Sequence, residues 1–269
     1  MLKDITLGQY FPGNSPIHRL DPRTKLILLI VYIVALFLAQ SWISYAVMLV
    51  FLLFTIKIST IPPKSILRGM KPIVMILVFT GVLNLFFTRD GRTLVNIADF
   101  IIITSGGLTR AVFMMARILM LITGTFLLTY TTSPISLTDG LEALLNPLKK
   151  VHVPVHELSM MMCIALRFIP TLIEETDKIM SAQKARGADF ENGTLMERAR
   201  ALIPILVPLF IGAFRRADEL ATAMECRCYQ GGEGRSKMKI LRYRRNDMTA
   251  FGMGIALLVL IAVLASLGL

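Results

Sequence analysis

The sequence predicts an all-α membrane protein: about five transmembrane helices, and a cytoplasmic platform of two long amphipathic helices and one short helix. The membrane is indicated by composition, because the chain is 55% hydrophobic with a mean hydropathy of +0.66. Soluble domains are only about 45–50% apolar. The platform is indicated by a long polar block between the fourth and the last apolar runs. A very hydrophobic soluble core is the alternative, but the remaining polar surface could not bury five such runs.

The apolar runs define the predicted spans. Four runs carry no charge and a fifth carries only Arg117: Leu26–Ala39, Trp42–Ile56, Pro72–Thr88, Met248–Leu269 and Ala111–Tyr130. Because a bilayer crossing needs about 20 residues, flanking residues must complete the shorter runs. We therefore predict an N-terminal membrane bundle over 1–130 and a C-terminal transmembrane helix at 248–269. The spans of the bundle are predicted at about 25–41, 42–58, 72–88 and 108–130. No A-x-A-like cleavage site follows the first span, so we expect it to be retained.

Lys and Arg residues near the spans predict the orientation. The first span is preceded by Lys3, Arg19, Arg23 and Lys25, and the second loop contains Lys57, Lys64, Arg68 and Lys71. The first loop has no charge, and the mildly basic third loop has Arg89, Arg92 and Arg110 against Asp90 and Asp99. This pattern places the N-terminus and the block 131–247 in the cytoplasm and the C-terminus outside.

The polar block 131–247 is predicted to be the platform. It holds 17 Lys and Arg against 14 Asp and Glu, a net charge of +3, whereas the rest of the chain has 12 against 4. The overall charge of +11 is therefore mostly a membrane-topology signal, and no nucleic-acid motif accompanies it. Three helices are predicted: Leu137–Lys150, then Val155–Arg186 with a kink at Pro170, then Thr194–Cys228.

Each of the two long helices is predicted to end at an arginine between two small residues. Arg186 lies between Ala185 and Gly187, and Arg227 lies between Cys226 and Cys228. A cation at a helix C-terminus complements the helix dipole by about 0.3–1 kcal/mol, which would explain a single instance. The repetition favours docking, because small neighbours let a helix end enter a groove and a guanidinium offers five donors. Two similar ends imply two similar grooves in a partner.

Several segments together resemble a known family. They are HRLDPRTKL at 18–26, SGGLTRAVFMMARI at 105–118, TTSP at 131–134, LRFIPTLIEE at 166–175, ARG at 185–187 and CRC at 226–228. With these segments, the chain resembles the transmembrane T component of energy-coupling factor transporters over nearly its whole length. The paired arginine signatures behind a hydrophobic N-terminal half are the specific part. The second signature departs from the usual Ala-Arg-Gly form, but cysteine is also small.

The resemblance implies a function and a set of partners. In this family the two arginine signatures end two coupling helices, which dock in grooves of two cytoplasmic ATP-binding-cassette ATPases. A small membrane protein, the S component, binds the substrate, a vitamin or a transition-metal ion. The chain would then be a non-catalytic scaffold in a prokaryotic cell membrane, in contact with lipid. The sequence contains no phosphate-binding G-x-x-x-x-G-K-[ST] loop, in agreement with that role. The identity of the substrate, and whether the ATPases are identical, stay open.

Methionines on the first long helix are a second candidate site. Met160, Met161 and Met162, with Leu158 and Ala165, are predicted to touch the S component, because methionine suits surfaces that accept several partners. Ordinary helix packing is an equal alternative.

Other functions have weaker support. Cys226 and Cys228 lack a third metal ligand nearby, and Pro154 separates His152 from His156, so we predict neither a metal site nor a cofactor. A self-contained secondary transporter would need more polar residues in the spans. An intramembrane enzyme would need a reactive cluster that the sequence does not show. Arg117 needs a partner within its span, either a carboxylate or backbone carbonyls, unless it extends to the interface.

Overall fold

The computed structural model describes residues 10–87, 93–97, 101–188, 190, 194–232 and 240–267. It has eight α-helices within these ranges. Lys3, Arg89, Asp90, Arg92 and Asp99, which contributed to the predicted orientation, lie outside them. The chain divides into two compact units. One, the membrane bundle, comprises Gly8–Ala143 and Leu241–Leu269; the other, the platform, comprises Leu144–Ile240.

The membrane bundle contains six of the helices. They are α1 (Pro22–Leu38), α2 (Trp42–Ser59), α3 (Pro63–Phe87), α4 (Ser105–Thr131), α8 (Arg245–Ser266) and most of α5 (Pro134–Leu145). An antiparallel β-hairpin of β1 (Thr93–Ile97) and β2 (Ile101–Thr104) connects α3 to α4. This hairpin was not predicted from the sequence. The third span was predicted to start at Pro72, whereas α3 begins nine residues earlier and continues through that proline (72 − 63).

Side-chain caps define where several helices begin. Asp21 accepts a hydrogen bond from the backbone N–H of Arg23 at the start of α1, and Pro22 occupies the first turn, where no backbone donor is needed. Ser41 caps α2 and Thr104 caps α4 in the same way. The Asp-Pro-Arg segment at 21–23 therefore sets the start of the first helix.

The platform contains α6 (Val155–Ala185) and α7 (Leu195–Cys226). A short 3₁₀ helix (Asn146–Val151) precedes them and ends at His152, which adopts a left-handed conformation with φ of +62°. At α7, Thr194 and Glu197 form a reciprocal capping box. The two long helices predicted from the sequence are thus present, with bounds within one or two residues of those expected.

Five helices are long and apolar enough to cross a membrane by length and composition: α2, α3 over Pro63–Leu85, α4, α6 and α8. The helix α1, with 17 residues, is shorter than each of these five. The helix α6 has the lowest hydropathy of the five, 1.3, and carries Glu174, Glu175, Asp177 and Lys178. The prediction that α6 lies outside the bilayer depends on those charges and not on its length.

Polar contacts bring four helix termini to one end of the bundle. The backbone N–H of Asp21 donates to Asp247 Oδ1 at 2.8 Å, which joins the starts of α1 and α8. Lys25 Nζ donates to the carbonyl of Thr131 at 2.8 Å, at the end of α4. Tyr130 donates to the carbonyl of Ser65 at 3.3 Å, near the start of α3. We call this the basic end, because its cations are Arg19, Arg23, Lys25, Lys57, Lys64, Arg68, Lys71, Arg244 and Arg245.

At the opposite end, Arg117 is bound to the turn between α1 and α2. Its Nε donates to the Tyr45 hydroxyl at 2.9 Å, and its Nη2 donates to the carbonyl of Ala39 at 3.2 Å. The guanidinium also lies 5.4 Å from the centre of the Phe37 ring. Because Ala39 directly follows α1, Arg117 is level with the C-terminal end of α1 and the N-terminal end of α2 rather than with their middles. The described hydrogen-bond partners of Arg117 are thus a hydroxyl and a backbone carbonyl.

Candidate functional site

The two long platform helices, α6 and α7, run antiparallel. Glu175 of α6 and Arg216 of α7 form a salt bridge, with each side chain 27% exposed. Gly212 lies one turn from Arg216, and a Cβ atom there would come 3.2 Å from Glu175 Oε1, so glycine admits the carboxylate. Further along, the ring of His156 packs against Gly232 so closely that a Cβ would lie 2.3 Å from its Cδ2. The start of α6 thus faces the segment that follows α7.

The first arginine signature forms the C-terminal cap of α6. Arg186 is the C-cap residue, and Gly187 adopts a left-handed conformation with φ of +86°. The amide of Ala188 donates to the carbonyl of Gln183 at 3.0 Å, and that of Gly187 donates to Lys184 at 3.0 Å. This pair of bonds defines a Schellman motif, in which glycine is favoured because it has no Cβ. The predicted end of this helix at the first arginine signature is confirmed.

The second signature forms the same cap with a different residue. Arg227 is the C-cap of α7, and Cys228 takes the left-handed position with φ of +55°. The amide of Tyr229 donates to the carbonyl of Met224 at 3.0 Å, and that of Cys228 donates to Glu225 at 2.8 Å. The hydrogen-bond pattern matches that after Arg186 residue for residue. The shared feature of ARG and CRC is therefore a backbone conformation as well as small side chains.

Both signatures are open to solvent. All six residues are exposed: Ala185, Arg186, Gly187, Cys226, Arg227 and Cys228. Neither guanidinium has a hydrogen-bond or salt-bridge partner among the residues that the structure describes. Within the described part of the chain, the two ends thus present exposed cations without a salt-bridge partner, flanked by exposed small residues. This arrangement suits insertion into an acidic or carbonyl-lined groove.

The two arginines lie at opposite ends of the helix pair. Arg227 and Met160 line one small cavity of about 350 Å³, so Arg227 is level with the early part of α6. Arg186 lies 26 residues further along α6 (186 − 160), which at about 1.5 Å per residue is about 40 Å. The platform therefore does not bring the two signatures together into one site. It presents two separate ends.

The methionine site lies at the Arg227 end. Leu158, Met161 and Met162 are 45%, 55% and 45% exposed, and Ala165 is also exposed. Met160 is half-buried and lines the cavity with Arg227. Four of these five side chains are thus available to a partner, and one packs within the platform.

A second exposed apolar surface lies on α7, and the site prediction did not include it. Leu202, Leu206, Phe210 and Phe214 are 47%, 49%, 61% and 73% exposed. The signal in the sequence was the charge-free stretch 201–214. We call these four residues the α7 apolar surface.

The remaining candidate residues from the sequence are histidines and cysteines of the platform. Among the described residues, no three His, Cys, Asp or Glu side chains cluster closely enough to hold a metal ion. His152 lies in the left-handed turn before α6, and His156 lies in the first turn of α6, so they share no helical face. Cys163 is half-buried, whereas Cys226 and Cys228 are exposed thiols.

Comparison with known proteins identifies the family. Residues 13–240 match the model of the cobalt transport protein family. The energy-coupling factor transporter transmembrane protein EcfT of Thermosediminibacter oceani is 56% identical over 250 residues, which cover 93% of this chain and 94% of the relative. EcfT of Acidaminococcus fermentans is 52% identical and EcfT of Bacillus subtilis is 48% identical, each over 264 residues, 98% of both chains. The chain is therefore a multi-pass membrane protein that belongs to the family of energy-coupling factor transporter transmembrane proteins.

Proposed function

We propose that this chain is the scaffold through which two cytoplasmic ATP-binding-cassette ATPases drive uptake by a small substrate-binding membrane protein. The observation that carries the proposal is the pair of arginine caps with the same hydrogen-bond pattern. They close the C-termini of α6 and α7, and these termini lie at opposite ends of the antiparallel helix pair. Each end would enter a groove of one ATPase, with Arg186 in one and Arg227 in the other. ATP hydrolysis would lie in those partners, and this chain would hold no nucleotide.

The salt bridge between the helices supports a mechanical role. Glu175 and Arg216 join α6 to α7 away from either signature. A displacement of one helix end by an ATPase would then move the other helix too, because breaking a half-buried ion pair leaves charges without partners. The ATPases' closure on ATP would reach the membrane through this coupled pair.

The substrate-binding partner is proposed to contact the exposed apolar residues of the platform. Leu158, Met161, Met162 and Ala165 form one such contact, and the α7 apolar surface forms another. This partner, not the present chain, would bind the vitamin or metal ion. Replacement of Met161 and Met162 with glutamate should prevent its capture while the ATPases remain bound.

The basic end of the bundle is proposed to face the cytoplasm of a prokaryotic cell. The nine cations that define it far outnumber those of the described opposite end, and positive residues favour the cytoplasmic side. The start of α8 lies at this end, so the C-terminus would be outside. A reporter enzyme active only outside the cell, fused after residue 267, should therefore be active.

The docking proposal is tested by affinity purification of the tagged chain from its own membranes. Arg186→Ala and Arg227→Ala should each weaken ATPase recovery, and the double variant should lose it. Arg215→Ala is the matched control, because Arg215 is an exposed arginine of α7 whose only described salt bridge is to Glu219, one turn away. Full recovery of ATPases by the double variant, with transport retained, would refute the proposal.

A further inference from the structure

The membrane bundle contains a cleft whose lining the proposed function does not use. Its volume is about 520 Å³, within the range of small-ligand sites. It lies among α1, α2, α4 and α8, and its walls include Leu29, Phe51, Leu128 and Met253. All of its lining residues belong to the membrane bundle. The walls of the cleft are largely apolar. Because it lies between transmembrane helices, the molecules around it are apolar as well.

The three threonine hydroxyls of the cleft offer little to a polar ligand. The hydroxyls of Thr55, Thr131 and Thr249 donate to carbonyls of their own helices at 2.8, 2.8 and 2.9 Å. A hydroxyl engaged in this way has no donor left for a solute. A vitamin or a metal ion would find few hydrogen-bond partners or ligands in these walls, whereas a hydrocarbon chain needs none.

Lys25 reaches the cleft but is engaged within the protein. Its ammonium donates to the carbonyl of Thr131 at 2.8 Å, to Thr132 Oγ1 at 3.2 Å and to the carbonyl of His18 at 3.4 Å. These three acceptors match the three protons of the ammonium. Lys25 therefore adds positive potential to the basic end of the cleft without offering a free hydrogen bond.

The exposed charges beside that end are positive. Arg19 precedes the lining residue Leu20, Lys57 precedes Ile58, and Arg245 precedes Asn246; all three cations are exposed. Two described carboxylates also neighbour lining residues in sequence, and both are buried and engaged: Asp21 binds Arg23, and Asp247 accepts the backbone amides of Asp21 and Arg244. An anionic group at this end of the cleft would meet the three exposed cations.

We propose that the cleft binds one acyl chain of an anionic phospholipid, with the phosphate headgroup at the basic end. The apolar walls take the hydrocarbon, and Arg19, Lys57 and Arg245 attract the headgroup. The lipid would be a structural ligand of the bundle that fills the space between α1, α2, α4 and α8. This inference does not depend on the proposed coupling to ATPases.

Native mass spectrometry of the full chain in detergent tests the proposal with two added lipids of identical acyl chains. Phosphatidylglycerol is the anionic probe and phosphatidylcholine the zwitterionic one. Leu29→Trp should fill the cleft, whereas Ile30→Trp places the same bulk on the neighbouring residue, which is 59% exposed and does not line the cleft. Leu29→Trp should reduce bound phosphatidylglycerol about tenfold, the factor expected from displacing about two methylene groups. Ile30→Trp should bind like the wild type.

The headgroup is tested separately with Arg19→Gln/Arg245→Gln. This variant should reduce the preference for phosphatidylglycerol over phosphatidylcholine, whereas Lys64→Gln, at the basic end on a helix that does not line the cleft, should leave it unchanged. Equal lipid binding by Leu29→Trp and Ile30→Trp would overturn the proposal. So would equal retention of the two lipids by the wild type, or a dimer of the chain that Leu29→Trp alone dissociates.

Discussion

Gly187 and Cys228 occupy equivalent positions, each one residue after a capping arginine and each in the left-handed conformation, with φ of +86° and +55°. The same two hydrogen bonds close both helix ends. Glycine adopts this conformation without strain, whereas a residue with a Cβ does so at a cost of about 1 kcal/mol. Both signatures therefore have the same left-handed cap, but only the first has glycine, which adopts that conformation without strain.

This difference predicts opposite effects of two substitutions. Gly187→Ala should lower the free energy of unfolding by about 1 kcal/mol through the backbone alone, because a Cβ there would meet no atom within 4 Å. Cys228→Gly should leave stability unchanged or raise it by up to about 1 kcal/mol, and should retain the ATPases. Denaturant unfolding in detergent measures the first effect, and hydrogen exchange at 187–188 and 228–229 locates it. A stabilising Gly187→Ala would contradict the cap assignment.

Arg117 and Tyr45 are predicted to be energetically coupled. Arg117→Leu should lower the free energy of unfolding by about 2 kcal/mol. The Ala39 carbonyl and the Tyr45 hydroxyl would each lose the hydrogen bond that they accept from the charged guanidinium. Tyr45→Phe should lower it by about 1 kcal/mol, and the double variant should lose less than the sum.

Thermal unfolding in detergent provides this double-mutant cycle. Thr125→Val is the control on the same helix, since Thr125 is exposed and bonds only to its own helix carbonyl, that of Leu121. Strict additivity of the two Arg117 and Tyr45 substitutions would show that the bond contributes nothing to stability.

Asp247 is predicted to hold the first and last helices of the bundle together. It is fully buried and accepts the amides of Asp21 and Arg244 at 2.8 and 2.7 Å. Asp247→Asn keeps the shape but loses the charge and one acceptor, so unfolding free energy should fall by about 2 kcal/mol. The same substitution at the exposed Asp218 of α7 should change it by less than about 0.5 kcal/mol. Equal melting temperatures of the two variants would contradict this role.

His18 gives the segment before α1 a predicted pH dependence. Burial lowers the pKa of His18, an effect that Lys25 increases and the hydrogen bond to the Phe11 carbonyl opposes. That carbonyl, 3.0 Å from Nε2, can only accept, so Nε2 carries the proton and Nδ1 accepts from Ser15 at 2.7 Å. The folded state thus favours the neutral ring. Stability should fall as the pH drops below the unfolded pKa of about 6.5, because the unfolded chain then binds more protons.

Melting temperature between about pH 7.5 and about pH 5.5 measures this effect. The decrease should be smaller for His18→Gln than for the wild type, since glutamine does not titrate. The matched substitution His152→Gln, at an exposed histidine, should keep the wild-type slope. A wild-type slope in His18→Gln would exclude His18 as its source.

The helices were predictable because their signals are local. Apolar runs predicted the spans, and the end of α6 was predicted at the first arginine signature. The start of α3 was missed because Lys64, Arg68 and Lys71 resemble a loop in sequence, yet they belong to the first turns of a helix that extends beyond the apolar run. The β-hairpin was missed because its two short strands carry no distinctive alternation.

The candidate site was predictable in its residues but not in its geometry. The repeated small–Arg–small pattern identified Arg186 and Arg227, and their exposure agrees with the docking hypothesis. The equivalence of Cys228 to Gly187 was hidden, because cysteine is not a residue that favours a left-handed cap. The α7 apolar surface was visible only as an uncharged stretch, since sequence does not tell which side of a helix lacks a neighbour.

Hydropathy and charge in the sequence are sufficient for the class of protein and the two arginine signatures, since each depends on residues close together in the chain. The placement of Arg117 beside Tyr45, of Asp247 beside Asp21, and of the two signatures about 40 Å apart came from the folded chain. These relationships join residues separated by 72, 226 and 41 positions. Contacts over such separations depend on which helices pack together and in which direction, and no local periodicity encodes that choice.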